Sequence, residues 1–150
     1  MDNMVFFNRL TLALFAKLYT AFPTPIDLDI KAVAMEVIPE DADNETTWNC
    51  LSAAEDALDF LAQEGFLTHK GGGLDGGTLL QVRLTLRGLA ILGSTPDALE
   101  GRTPMIDRIK KALAGGAKEA GSEAVKQLAQ QAFSAALAAG PMVLASLAAR

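Results

Sequence analysis

Phe66-Leu67-Thr68-His69, then Lys70-Gly71-Gly72-Gly73-Leu74-Asp75-Gly76-Gly77, then Thr78-Leu79-Leu80-Gln81-Val82-Arg83-Leu84-Thr85-Leu86 is the stretch that decides the fold. Leu80, Val82, Leu84 and Leu86 alternate with Gln81, Arg83 and Thr85, the period of a strand with one face buried. Phe66 to His69 reads as a shorter strand, and the glycines from Lys70 to Gly77 let the chain reverse between the two. The stretch is therefore predicted to be a β-hairpin. Thr85 then caps a short helix from Leu86 to Leu92, closed by Gly93.

Upstream the period changes to that of helices. Val5, Phe7, Leu10, Leu14, Phe15 and Leu18 recur at steps of three and four, predicting an amphipathic helix from Met4 to Ala21. Pro23 and Pro25 restrict the residues before them and remove two backbone donors, which enforces an extended turn. A second helix is expected from about Asp27, with Leu28, Ile30, Ala34 and Val37 apolar, ending before Pro39. The polar run Glu40 to Thr46 offers several capping residues. A third helix follows, with Trp48, Leu51, Ala54, Leu58 and Leu61 along one face and Gly65 at its end.

Downstream, Ser94-Thr95-Pro96-Asp97 and Gly101-Arg102-Thr103-Pro104 mark a linker over 94–104. Residues 105–150 then read as an Ala-rich amphipathic helical tail. Met105, Ile109 and Leu113 begin an apolar stripe, Gly115-Gly116 interrupts it, and Val125, Leu128, Ala132, Phe133 and Leu137 resume it. A last apolar helix from Met142 to Ala149 is expected to fold back at Gly140-Pro141.

Three helices, a hairpin and the phrase Leu84-Thr85-Leu86-Arg87-Gly88-Leu89-Ala90-Ile91-Leu92 together resemble the winged-helix superfamily. The pattern Leu-Thr-x-x-Gly-x-x-x-Leu is similar to the phrase that follows the wing in many bacterial members. The resemblance covers about residues 4–93, so 1–93 is expected to be a winged-helix domain. A helical tail that dimerises such a body is similar to the layout of PadR-like regulators, a likeness of architecture that transfers no residues. The fold serves both DNA regulators and protein-contact modules, so the resemblance does not by itself give the function.

Composition excludes several classes. The 150 residues include one cysteine, Cys50, and one histidine, His69, too few for a disulfide framework or an ordinary zinc site. Cys50 reads as a small buried hydrophobe rather than a nucleophile. Half the residues are apolar and mean hydropathy is +0.23, yet aromatics make up only 6%, as expected of helices packed through small side chains. Asp2 stands where a secretory signal carries positive charge, and the alanine-rich end of the chain is broken by Gly140-Pro141. The expectation is a cytoplasmic protein with no membrane span.

The charge is unevenly spread. Residues 1–99 hold 6 Lys/Arg and 14 Asp/Glu, a net of −8, and residues 100–150 hold 7 and 4, a net of +3. Between Lys31 and Lys70 there is no Lys or Arg, but there are nine acids: Glu36, Glu40, Asp41, Asp43, Glu45, Glu55, Asp56, Asp59 and Glu64.

Candidate sites are weighed against that background. Gly71 to Gly76 matches G-x-G-x-x-G, but the dinucleotide fingerprint works by opening a helix whose amides meet the pyrophosphate, whereas this loop joins two strands. Glu55 and Asp59, at i and i+4, share a helical face with Asp56 beside them. Acid-base chemistry would need one of them buried, and a solvated face is the simpler reading. Ser52 with His69 lacks a third partner and an oxyanion arrangement. No catalytic residue, cofactor or metal is expected.

On a DNA-binding reading the third helix would read bases through Thr47, Asn49 and Ser52, with Lys70 and Arg83 on phosphates. Phosphate neutralisation supplies most of the affinity in such complexes, and Glu55, Asp56 and Asp59 on that side repel it. The preferred expectation is a non-enzymatic interaction protein. Its acidic winged-helix body contacts an unidentified protein partner through Glu55, Asp56 and Asp59, and its tail self-associates into a homo-oligomer through Val125, Leu128, Phe133 and Leu137. A dimeric DNA-binding regulator is the alternative, with nucleic acid disfavoured by charge. A membrane partner is disfavoured because alanine supplies little insertion energy.

Overall fold

The computed structural model describes residues 2–73, 77–93, 104–116, 121 and 123–134. Their order is α1 (Asn3–Ala21), β1 (Ile26–Asp29), α2 (Ile30–Val37), α3 (Asn44–Gln63), β2 (Leu67–Thr68), β3 (Thr78–Leu84), α4 (Leu86–Gly93) and α5 (Met105–Ala112), followed by helix α6 over 123–134. The chain is mainly helical with one small antiparallel sheet of order β1-β3-β2. Residues 94–103 of the expected linker 94–104, Leu137 and the helix expected from Met142 to Ala149 lie outside the described residues.

α1 is the axis of the molecule. Asp2 caps it by accepting from the Met4 amide, and every residue from Asn8 to Phe15 is buried. The expected one-sided stripe is thus replaced by burial all round, because α2, α3, β3, α4 and α5 all pack against this helix. Its burial takes in three polar residues, Asn8, Arg9 and Thr11, beside the apolar ones, as a helix at the centre of the core must.

The hairpin forms as expected from β2 and β3, with Leu67 opposite Leu84 and Thr68 opposite Arg83. It has a third strand that sequence reasoning missed. Ile26 to Asp29, expected as the start of the second helix, pairs with β3 instead: Ile26 lies opposite Val82, Leu28 opposite Leu79 and Asp29 opposite Thr78. The register shifts between Ile26 and Leu28. At that shift Gln81 has a left-handed backbone, φ +54°, and its amide donates to Asp27 Oδ1 at 3.0 Å. Asp29 then caps α2 by accepting from the Lys31 and Ala32 amides, so the helix begins at Ile30.

α3 keeps its expected extent but presents a different face. Asp43 caps it, accepting from the Thr46 amide at 2.7 Å. Gly65, at φ +83°, closes it with the Phe66 amide donating to the Leu61 carbonyl. Cys50, Ala54, Ala57, Leu58 and Leu61 form the buried stripe. Trp48, expected on that stripe, is 67% exposed, and Leu51 is only half-buried. Leu86, expected on the inner face of the strand, is likewise 63% exposed, since the helical period takes over there.

A tight corner joins α3, the sheet and α4. Thr85 caps α4 as expected, accepting from the Gly88 amide, while its hydroxyl donates to the Gly65 carbonyl and its amide to the Phe66 carbonyl. Arg87 donates to the Glu64 carbonyl and lies 4.8 Å over the Phe66 ring. A Cβ on Gly88 would stand 2.3 Å from the Phe66 carbonyl oxygen. That contact explains why glycine occupies this place in the phrase after the hairpin.

The described part of the tail shares this core. Met105, Ile106 and Ile109 of α5, with Val125, Leu128 and Ala132 of α6, are buried in one cluster with α1 and the sheet. Phe133 stacks on Phe7 and meets Phe66 edge-on. The apolar stripe assigned to self-association therefore packs against the chain's own body at Val125 and Leu128.

Gly88→Ala is expected to cost about 1–3 kcal/mol, the range for overpacking a fixed core, because the obstructing atom is backbone. Urea unfolding followed by circular dichroism measures it; an unchanged midpoint would contradict the corner described here.

Candidate functional site

The outer face of α3 is where the candidate residues gather. At 100° per residue, Trp48, Ser52, Glu55 and Asp59 follow one another along the helix, with Asn49 and Asp56 beside them, and all six are exposed. Glu45 stands in the first turn, where a carboxylate complements the helix dipole. Hydrogen bonds from Thr46 hold the Asp43 carboxyl below its ordinary pKa, so the cap is charged at neutral pH. α3 itself carries no Lys or Arg, since none occurs between Lys31 and Lys70.

Two of the three acids are drawn together with the histidine. Glu55 and Asp59 line a groove of about 320 Å³ with His69, Ile30 and Leu79 beneath the hairpin. The His69 Nε2 lies 3.4 Å from Asp59 Oδ1, and its Nδ1 accepts from the Gly71 amide at 3.0 Å. That acceptor role places the ring proton of the neutral form on Nε2, facing Asp59. His69 thus ties the glycine loop to α3. Asp56 does not line the groove.

The candidate nucleophile and base named from the sequence do not meet in this groove. Ser52 is exposed and does not line it, so the pair Ser52 and His69 is not assembled. Among the described residues no group of three or more His, Cys, Asp or Glu side chains could hold a metal. Gly71, at φ +95°, lies in the hairpin loop, and the next element is β3 rather than a helix; Leu74, Asp75 and Gly76 lie outside the described residues. The helix N-terminus that the glycine motif would aim at a pyrophosphate does not follow this loop, since β3 does.

The residues named for base reading are divided. Thr47 is half-buried and its hydroxyl donates to the Asp43 carbonyl, closing the first turn of α3. Asn49 and Ser52 project freely to solvent. Lys70 is exposed at the base of the loop, while Arg83 donates to the Pro23 carbonyl at 3.5 Å, toward the turn before β1. Sequence reasoning missed Trp48 as a surface residue. The signal was available in its spacing: it precedes Cys50 by two residues and so sits about 160° round the helix from the buried stripe.

Cys50 is buried against the core, and desolvation pushes its thiol above the ordinary range. No helix of the described residues is long and apolar enough to cross a membrane. No family model, no curated protein and no solved structure matches the chain.

The thiol is expected to react with a charged disulfide reagent at neutral pH at least tenfold more slowly in the native protein than in denaturant. Equal rates in the two states would contradict the burial of Cys50.

Proposed function

We propose that this chain is a non-enzymatic protein-interaction module whose body is an acidic winged helix and whose contact surface is the outer face of α3. The fold part of the reading is supported by the order α1, β1, α2, α3, β2, β3, with β3 in the middle of the sheet. On that reading β2, β3 and the loop between them are the wing, and α3 is the helix that other members lay against DNA.

Trp48 carries the functional part of the reading. Large aromatic side chains are among the residues that dominate protein interfaces when they leave water for a partner's pocket. Here one stands 67% exposed among exposed side chains whose charged members are all acidic. A phosphate backbone meeting that surface would face Glu45, Glu55, Asp56 and Asp59, and the repulsion lies where DNA affinity is usually generated. A protein partner with basic residues around an apolar recess would gain from both the indole and the charge. The expected cytoplasmic setting belongs to the same proposal.

The alternative, a DNA-binding regulator, draws support from the exposure of Asn49, Ser52 and Lys70 alone. Immobilised full-length protein challenged with host proteins and with duplex DNA separates the two. Retention of a protein partner, weakened about thirtyfold by Trp48→Ala as expected of a hot spot worth about 2 kcal/mol, supports the proposal. DNA retained with a steep salt dependence and released by Arg83→Glu would replace it.

A further inference from the structure

We infer that the α3 face binds a second copy of this chain, head to tail, with Trp48 of one copy seated in the groove between α5 and α6 of the next. The inference rests on reading α3 as a protein-binding face and names its partner.

The groove is about 370 Å³, within the roughly 300–1,000 Å³ range of pockets that enclose small ligands and so ample for one indole. Ala112, Ala124 and Leu128 give it apolar walls, and Arg108, Lys111 and Asp107 stand at its edge. The small side chain of Ala124 is what leaves the space open. The Arg108 guanidinium donates to Gln131 Oε1 across from α5 to α6, which fixes the plane of a cation able to lie against an indole face. The edge carries two bases and one acid, a net of +1 by residue type.

Charge complementarity selects this occupant. The longest stretch without a Lys or Arg is the one that bears Trp48, and residues 100–150 taken together carry a net charge of +3; of the side chains that line the groove, Arg108 and Lys111 are the bases and Asp107 the acid. Glu45, three residues before Trp48 on α3, would face Arg108 and Lys111 of the next copy, while Glu55 and Asp59 lie about 10 Å and about 16 Å further along the helix and add to the acidic field of the face. One copy does not satisfy itself, since its own Trp48 is exposed and does not line the groove. The two surfaces differ, so the contact is heterologous: it leaves a free Trp48 at one end and a free groove at the other, and it propagates until a ring closes or a filament grows. This arrangement places association on the charged outer edge of α5 and α6 and not on Val125, which is buried inside the chain; Leu128 is the member of that stripe that reaches the groove wall.

Trp48 is the single tryptophan, so its emission reports the contact directly. In the wild-type chain at low ionic strength, emission is expected to move to shorter wavelength and the mass by light scattering to rise from 15.8 kDa as concentration increases, both reversing with added salt. Trp48→Ala alone and the double variant Arg108→Glu/Lys111→Glu alone are expected to remain monomers, and their equimolar mixture to form a terminated dimer, since each supplies the surface the other lacks. Ala124→Phe, at an exposed position, fills the groove without changing charge and should behave as the double variant does. Circular dichroism verifies that each variant is folded. A wild-type chain whose mass and emission do not change with concentration overturns the inference, as does a mixture that stays monomeric. Either result leaves the wider reading to the retention experiment with host proteins, whose Trp48 dependence does not require a second copy.

Discussion

Phe66 is the point through which the architecture is tied. It is 4% exposed, its ring meets Phe15 of α1, Phe133 of α6 and the Arg87 guanidinium of α4, and its carbonyl accepts from Thr85 while facing Gly88 at a distance that excludes a side chain. The chain can turn from α3 into the sheet and from the sheet into α4 within so small a space because Gly65 supplies a left-handed residue on one side and Gly88 a missing Cβ on the other. With that corner set, β2 must lie beside β3, and the hairpin's glycine loop falls against the end of α3, where His69 links it to Asp59. The geometry of the α3 face is a consequence of this corner.

Charge is the property that the proposed partner would have to match. A core built around α1 leaves α3 with one side to solvent, and the sequence puts acids and one tryptophan there. Exposed acids at helical spacing repel one another modestly, and salt screens them, so the fold tolerates them at little cost. An isolated exposed tryptophan is equally tolerable. Their coincidence on a helix whose charged residues are all acidic, in a chain whose residues 100–150 carry a net charge of +3, is what the proposed partner chemistry rests on. Electrostatic steering and an aromatic anchor act at different stages, the first on encounter and the second on residence.

Much of this was legible in the residues, and the misses have physical causes. Alternation from Leu80 to Leu84 and the glycines before it placed the hairpin; Asp43, Thr85 and Gly65 marked helix ends by their capping chemistry. β1 was not legible because Ile26-Asp27-Leu28-Asp29 is short, half aspartate, and in phase with the stripe of α2. Its strand state is imposed from far along the chain by pairing with β3 and by the Asp27 carboxylate on the Gln81 amide. Leu86 was misplaced for the opposite reason: a strand period was extended one residue into a helix. Trp48 was assigned inward by its hydrophobicity against its own angular position. The stripe through Val125 and Leu128 was legible as apolar and was assigned to a second copy, but a periodic pattern does not say against which element it packs, and these two residues are buried within the same chain. For the site, the acid cluster was visible, whereas its meeting with His69 depended on how the glycine loop returns to α3.

The central claim is that Trp48 stands in water within a field of negative charge, and collisional quenching of its fluorescence tests this in one experiment. In dilute protein at low ionic strength, caesium ions are expected to quench the single tryptophan efficiently and iodide poorly, with the difference shrinking as inert salt is added. Quenching by iodide as strong as by caesium would remove the acidic field from the account. An indole inaccessible to both ions and to neutral acrylamide would contradict the exposure on which it stands.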